Sequence, residues 1–186
     1  IHDAAVSAGF PQGWLLLLES REETAEILGL HDLVDLIIPR GSNEFVQYIM
    51  RNSLIPVMGH ADGVCHAYVS SSADPELAVR LIYDSKTQYV AACNALETIL
   101  VDTSTAAIMV PLIAEKLAEK PVTIYGCPRT MALIKCNKHQ GDAWNTEYLD
   151  YAVSMKVVDG LEDAIRHINT WGSRHTELYI GSDEGE

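Results

Sequence analysis

Apolar positions along the chain fall into short continuous runs separated by amphipathic stretches, the pattern of buried strands alternating with covering helices. Residues 1–8 predict a helix that meets the turn "GFPQG". The run "WLLLLE" (14–19) predicts a buried strand, "REETAEILGL" (21–30) a helix and "VDLIIP" (34–39) a second strand. "GSNEFVQYIM" (41–50) predicts a helix with Ser42 as its N-cap and Phe45 and Ile49 on its apolar face. "IPVMG" (55–59) follows as a short strand. This β–α–β–α–β alternation predicts parallel sheet with helices on its faces.

The texture changes between Pro56 and Gly63, where turn residues interrupt the alternation and a domain boundary is expected. "CHAYV" (65–69) predicts a strand. Asp74-Pro75 then opens a long helix, with Asp as cap, Pro in the first turn, and Leu77, Leu81 and Ile82 as its buried stripe. The loop "YVAACNA" (89–95) leads into the strand "LETILVD" (96–102). A helix over 104–120 must kink or restart at Pro111. "VTIYG" (122–126) predicts a strand, "PRTMALI" (128–134) a short helix and 136–150 a loop. Residues 152–159, 161–169 and 176–181 close the chain as strand, helix and strand. No repeat or low-complexity tract interrupts this order.

Composition adds limits. With 186 residues, 48% of them hydrophobic, the chain can bury one substantial core and part of a second. No apolar run approaches the roughly 18 residues of a membrane span. The start carries neither a basic segment nor a cleavage pattern, and its first residue is not Met, so the sequence reads as a piece of a longer protein. A formal net charge of -13 argues against a nucleic-acid partner, because phosphate binding requires clustered Lys and Arg. An anionic ligand would therefore need local donors to overcome the field of the chain. The cysteines at 65, 93, 127 and 136 lack the spacing of a disulfide framework and read as free thiols of a reducing compartment.

Several residue groups carry candidate chemistry. Cys93 stands among Ala91, Ala92 and Ala95, so its sulfur is approachable, and a turn there would offer its own N–H and the Asn94 amide to an oxyanion. Small-residue packing of a buried thiol explains the same spacing, and the residues alone leave both readings open. "GHADGVCH" holds His60, Asp62, Cys65 and His66. Consecutive strand residues point to opposite faces, so no metal site is expected there, nor at "CNKH" (136–139). "IIPRGSNEF" is strand, turn and helix, a geometry that turns free N–H groups and the Arg40 charge towards an anion at Gly41 and Ser42, although a simple Ser42 cap suffices. Glu147 sits in a loop beside aromatic residues. Arg174, His175 and Thr176 offer donors before the last strand, suited to a carboxylate-bearing ligand or to ordinary surface.

"VDLIIPRGSNEF", "IPVMGHADGVCHAYV", "AACNALETILV", "EYLDYAVSMKVVD" and "AIRHIN" with "GSRHTE" together resemble the gamma-glutamyl phosphate reductases, also called glutamate-5-semialdehyde dehydrogenases. These occur free-standing or as the C-terminal half of delta-1-pyrroline-5-carboxylate synthase, within the aldehyde dehydrogenase superfamily. The resemblance runs nearly end to end and in the same order. It implies an α/β, aldehyde dehydrogenase-like fragment, in which residues 1–57 are the tail of a Rossmann-like NADP-binding domain and residues 58–186 most of a parallel-sheet catalytic domain. It implies Cys93 as nucleophile with Asn94 beside it, Arg40, Gly41 and Ser42 at the cofactor pyrophosphate, and Glu147 on the nicotinamide ribose. Arg174, His175 and Thr176 are expected to grip the amino-acid end of the substrate.

The reaction so implied is NADPH-dependent reduction of L-glutamyl 5-phosphate to glutamate 5-semialdehyde through a cysteine thioester, in proline biosynthesis. A homo-oligomer, fusion to or association with glutamate 5-kinase, and a cytoplasmic location (mitochondrial for a eukaryotic fusion enzyme) follow from the same resemblance. Two departures stand out. "PVMGHADG" lacks the water-activating glutamate of many aldehyde-oxidising relatives, as a reductase requires, and Val90 stands where proline is expected. The early cofactor strands and the final catalytic segment are expected outside this sequence, so the chain alone is expected not to turn over. An aldehyde-oxidising dehydrogenase and a non-catalytic assembly domain of the same fold are the alternatives.

Overall fold

The computed structural model describes residues 1–59, 62–141 and 143–182, and the chain divides into two compact units, 1–61 and 62–186. The division falls inside the turn-rich stretch 56–63.

The first unit contains helices α1 (His2–Ser7), α2 (Arg21–Ile27) and α3 (Asn43–Asn52). A capping box starts α2: Ser20 Oγ accepts from Glu23 N–H at 3.1 Å, and Glu23 Oε2 accepts from Ser20 N–H at 3.1 Å. Val46 and Ile49 bury the inner face of α3, whereas Phe45 is 39% exposed, so the apolar stripe lies one residue round from the predicted one. "VDLIIP" and "IPVMG" meet in a single parallel bridge, Ile37 with Val57. "WLLLLE" forms no strand, and Leu16 and Leu17 are 80% and 84% exposed. A buried parallel strand needs a ladder partner and cover on its faces, and no described strand lies beside this segment.

Among the described residues, six parallel strands build the second unit: β1 (Cys65–Val69), β2 (Leu96–Asp102), β3 (Thr123–Gly126), β4 (Asn137–Lys138), β5 (Ala152–Val158) and β6 (Glu177–Ile180), in the order β4-β3-β5-β2-β1-β6. β4 emerges from the stretch predicted as loop. Helix α4 (Pro75–Thr87), N-capped by Asp74, and helix α5 (Ala106–Leu117) cover one face over a core that includes Ile82, Ile99, Val101, Met109, Ile113 and Met155. Helix α5 runs through Pro111 without a break. The buried stripe of α4 is Ala78, Ile82 and Lys86, while Leu77 is 40% exposed and Leu81 packs at the margin.

Helix α7 (Leu161–Trp171) packs on β1 and β5, and Leu161, Ala164 and Ile168 meet Tyr68, Leu100 and Val158 on the opposite face of the sheet. Towards the strand N-termini that face turns polar. His66, Thr98 and Ser154 lie at one register level of β1, β2 and β5. His167 on α7 packs edge-on to His66 and Trp144, and its Nδ1 lies 3.1 Å from Lys156 Nζ. Short helix α6 (Pro128–Met131) follows β3, with Cys127 as its N-cap. No helix among the described residues is long and apolar enough to cross a membrane.

Candidate active site

Because all six strands run the same way, their N-termini share one edge of the sheet. Four loops meet there: 62–64 before β1, 89–95 before β2, 146–151 before β5 and 172–176 before β6. Open α/β sheets ordinarily place ligands at the opposite, C-terminal edge. The predicted residues of the second unit nonetheless lie in these N-terminal loops.

Cys93 occupies a tight turn closed by the Ala95 N–H donating to the Ala92 carbonyl at 2.9 Å. Cys93 and Asn94 are exposed, and the chain becomes buried from Ala95 onward as it enters β2. The Cys93 thiol is thus not packed into the core of this unit. The Cys93 backbone N–H has no hydrogen-bond partner among the described residues. Its carbonyl is held from two sides: Cys65 Sγ lies 3.5 Å away, and Gly63 is so close that a Cβ there would collide with the carbonyl oxygen.

Glu147, read from sequence as a loop carboxylate, is half-buried and tied down. Its Oε1 accepts from Gly63 N–H at 3.0 Å. Gly63 thereby joins the predicted carboxylate to the predicted nucleophile's turn. On the next residue, Val64 N–H donates to Ser173 Oγ at 2.9 Å, which anchors the 172–176 loop to the same edge. His175 Nδ1 lies 3.8 Å from Cys65 Sγ and 2.8 Å from Thr176 Oγ1. Arg174 is exposed at a left-handed φ of 62°.

Cys65 is the second thiol of the site. Burial, reinforced by the Glu177 charge, pushes it up to about 11, so it remains protonated near neutrality and is unsuited to attack. A cavity of 320 Å³ opens beside it, lined in part by Asn94, Thr176, Glu177, Asp84, His66 and Tyr89. The carboxylates Asp84 and Glu177 suit an ammonium or hydroxyl group there. Of the three predicted donors only Thr176 borders this cavity.

The cofactor residues predicted at 40–42 belong to the first unit. Ser42 Oγ caps α3 by accepting from Phe45 N–H at 3.4 Å, and Gly41 lies at a φ of 155° against the Phe45 ring. Arg40 is exposed. Gly41, Ser42 and Phe45 border a largely apolar cavity of 590 Å³ between α2 and α3. A helix N-terminus beside an apolar slot fits a phosphate bearing a flat aromatic group.

Sequence reasoning did not single out Gly63, Ser173, Lys86 or Glu97 as site residues. Gly63 carried a readable sign, an isolated glycine at a strand entrance, which often marks close backbone approach. Glu97 carried another, since a carboxylate inside a buried strand requires a partner. Of the metal candidates, His60 lies outside the described residues, and no group of three or more described His, Cys, Asp or Glu side chains could hold a metal ion.

The family model for the aldehyde dehydrogenase family matches residues 1–127. The chain is 51% identical over 186 residues to a gamma-glutamyl phosphate reductase of Ruminiclostridium cellulolyticum, covering 100% of this chain and 43% of that protein. It is 53% identical over 167 residues to gamma-glutamyl phosphate reductase 1 of Synechocystis sp., covering 90% and 39%. The crystal structure of a gamma-glutamyl phosphate reductase from Thermotoga maritima superposes with a TM-score of 0.86 at 33% identity, over 89% of this chain and 40% of that one. The chain thus spans well under half the length of these relatives.

Proposed function

The chain belongs to the aldehyde dehydrogenase family, and from that premise we propose that it carries the nucleophile of an NADPH-dependent reductase acting on L-glutamyl 5-phosphate. One observation carries the reading: Cys93 stands exposed on the turn entering β2, and Glu147 is tied to that turn through Gly63.

Cys93 Sγ attacks the acyl carbon, the bond to the phosphate oxygen breaks, and inorganic phosphate leaves a thioester on Cys93. Phosphate is a good leaving group, so little acid assistance is required. The Cys93 N–H, which has no hydrogen-bond partner among the described residues, donates with the Asn94 amide to the oxygen as negative charge develops on it. When bound, NADPH supplies the hydride that reduces the thioester carbon. Collapse of the resulting thiohemiacetal returns the electron pair to Cys93 Sγ and releases glutamate 5-semialdehyde.

Arg40, Gly41 and Ser42 would hold the pyrophosphate at the α3 N-terminus, and Glu147 the nicotinamide ribose. Arg174, His175 and Thr176 would orient the amino-acid end of the substrate. Placement in proline biosynthesis, a homo-oligomeric state, a partnership with glutamate 5-kinase and a cytoplasmic location rest on the resemblance to the reductases.

The test uses a full-length enzyme containing this chain. Cys93→Ser should abolish NADPH oxidation with the acyl phosphate while nucleotide binding persists. Near-normal turnover in that variant would reject the assignment. In the reverse direction, NADP+ reduction with glutamate 5-semialdehyde should require inorganic phosphate; reaction without phosphate would identify an aldehyde-oxidising enzyme instead.

A further inference from the structure

The core side of the sheet contains an ion pair that packing does not explain. Lys86, on the buried stripe of α4, and Glu97, the second residue of β2, are both shut from solvent, with Nζ 2.9 Å from Oε2. Their neighbours on that face, Ile82, Ile99 and Val101, are apolar. Two charges taken out of water in such surroundings gain little over an apolar pair of the same size, so stability alone gives no reason for them.

The other oxygen of Glu97 points to a reason. Lys86 occupies Oε2, and Oε1 accepts the Leu149 backbone N–H at 3.4 Å, with the Tyr148 N–H also directed at the carboxylate. Leu149 has a φ of 52°, and Arg174 is the only other described non-glycine residue at positive φ. A side-chain-bearing residue holds that conformation only where its surroundings over-determine it. Here the constraint is a buried acceptor, 52 residues away in sequence. Tyr148 secures the same loop from its far side, with its hydroxyl 2.9 Å from Ser154 Oγ and its ring stacked on Tyr125.

Glu147 immediately precedes these two residues. The contacts therefore form one path inside the second unit, from Lys86 to Glu97, to the 148–149 backbone, to Glu147, to Gly63 and so to the Cys93 carbonyl. We propose that the Lys86–Glu97 pair is a positioning latch, which fixes the left-handed turn at Leu149 and thereby sets Glu147 relative to the Cys93 turn. Burial pushes the Glu97 carboxyl up and the Lys86 charge opposes this; ionised, it accepts on both oxygens, whereas a protonated carboxyl would turn a donor towards an amide that is itself a donor. The consequence for turnover rests on the reading of Glu147 as a cofactor contact, whereas the latch itself does not.

Two double variants of the full-length enzyme separate acceptor from charge. Lys86→Met with Glu97→Leu removes both, in similar volume. Lys86→Met with Glu97→Gln removes the charges but keeps a carbonyl for Leu149. With the Leu variant, kcat/KM for NADPH should fall roughly 10- to 100-fold, as expected for a misplaced catalytic contact, while Tm changes little. The Gln variant should recover most of that loss. Adding Glu147→Gln to the Leu variant should cost nothing further, because the two changes act along one path.

Amide hydrogen exchange at Leu149 reads the latch without reference to turnover: at least about tenfold faster exchange in the Leu variant, and near-native exchange in the Gln variant. Equal Leu149 protection in both variants, or a Glu147→Gln penalty that simply adds, overturns the latch. Should the Leu variant fail to fold, a folded Gln variant with tenfold-lower kcat/KM and an unprotected Leu149 amide overturns it equally. A harmless Glu147→Gln in the otherwise native enzyme would reject the cofactor role of Glu147, and the exchange data would then decide the latch by themselves.

Discussion

Gly63 lies against the carbonyl of Cys93 with no room for a side chain between them. A Cβ at position 63 would also stand 2.8 Å from Glu147 Oε1. Its two obstacles are a backbone carbonyl and a carboxylate already bound to the Gly63 N–H, and neither is the free end of a flexible chain. Gly63→Ala should therefore displace the Cys93 turn and Glu147 together. We expect a loss of roughly 1–3 kcal/mol in stability, as for other overpacked sites, and loss of most turnover. Chemical denaturation and steady-state kinetics on the full-length enzyme check this; an alanine variant with native activity would contradict the observed packing.

The second thiol of the site yields a pH prediction. Cys65 titrates at about 11 in the fold, against an ordinary 9.0, because burial and the Glu177 charge disfavour the thiolate. The folded state then holds its proton more tightly than the unfolded chain. The associated stability is fully present below about pH 9 and is lost as pH rises towards about 11. A shift of that size corresponds to about 2–3 kcal/mol at most. Cys65→Ala should flatten the alkaline limb of the stability curve by an amount of that order, which urea denaturation between those pH values measures directly.

Much of the second unit was legible because its strands are buried on both faces and read as apolar runs. "LETILVD" and "CHAYV" became β2 and β1 as predicted, whereas the alanines around Cys93 fitted an exposed turn and a buried thiol equally. The stripe of α4 was misplaced for a physical reason. Hydrophobicity favours Leu77 and Leu81, but the i, i+4, i+8 spacing that faces the core runs through Ala78, Ile82 and Lys86. A buried lysine becomes legible only once its partner is known. "WLLLLE" misled in the opposite sense, since a run of leucines states what must be covered and not what covers it. The convergence of the loops at 63, 93, 147 and 173 depends on strand order, which no local pattern encodes.

Acid conditions should weaken the polar face under α7. His167 is pushed down to about 3, by burial first and then by the charges of Lys156, His66 and His139, with Asp163 opposing them. The residue is 3% exposed, its ring edge-on to Trp144 and His66, with Lys156 Nζ at Nδ1. The fold holds this imidazole neutral, whereas the unfolded chain protonates it near 6.5. The stability involved is therefore present above about pH 6.5 and is lost as pH falls towards 3, an effect of several kcal/mol at most. His167→Gln should show a shallower decline over that range than the native protein. A parallel decline in both would assign the acid sensitivity to other groups.

The first unit offers a separate test of the cofactor reading. Gly41 sits at a φ of 155°, and a Cβ there would lie 2.9 Å from Phe45 Cδ1. Phe45 borders the 590 Å³ cavity together with Gly41 and Ser42, so Gly41→Ala should push the ring and reshape the slot proposed for the nucleotide. Ser42→Ala removes the acceptor of the Phe45 N–H and should cost about 1 kcal/mol of stability, as lost N-caps do. The two variants make different demands. If the slot takes the nucleotide, Gly41→Ala should weaken NADPH binding by about tenfold, or about 1.4 kcal/mol, while leaving Cys93 alkylation by iodoacetamide unchanged. Ser42→Ala should weaken binding as well as lower the Tm, because the same helix end that loses its cap would present the phosphate donors. Native NADPH affinity in both variants, measured by fluorescence titration, would move the nucleotide site away from the α3 N-terminus.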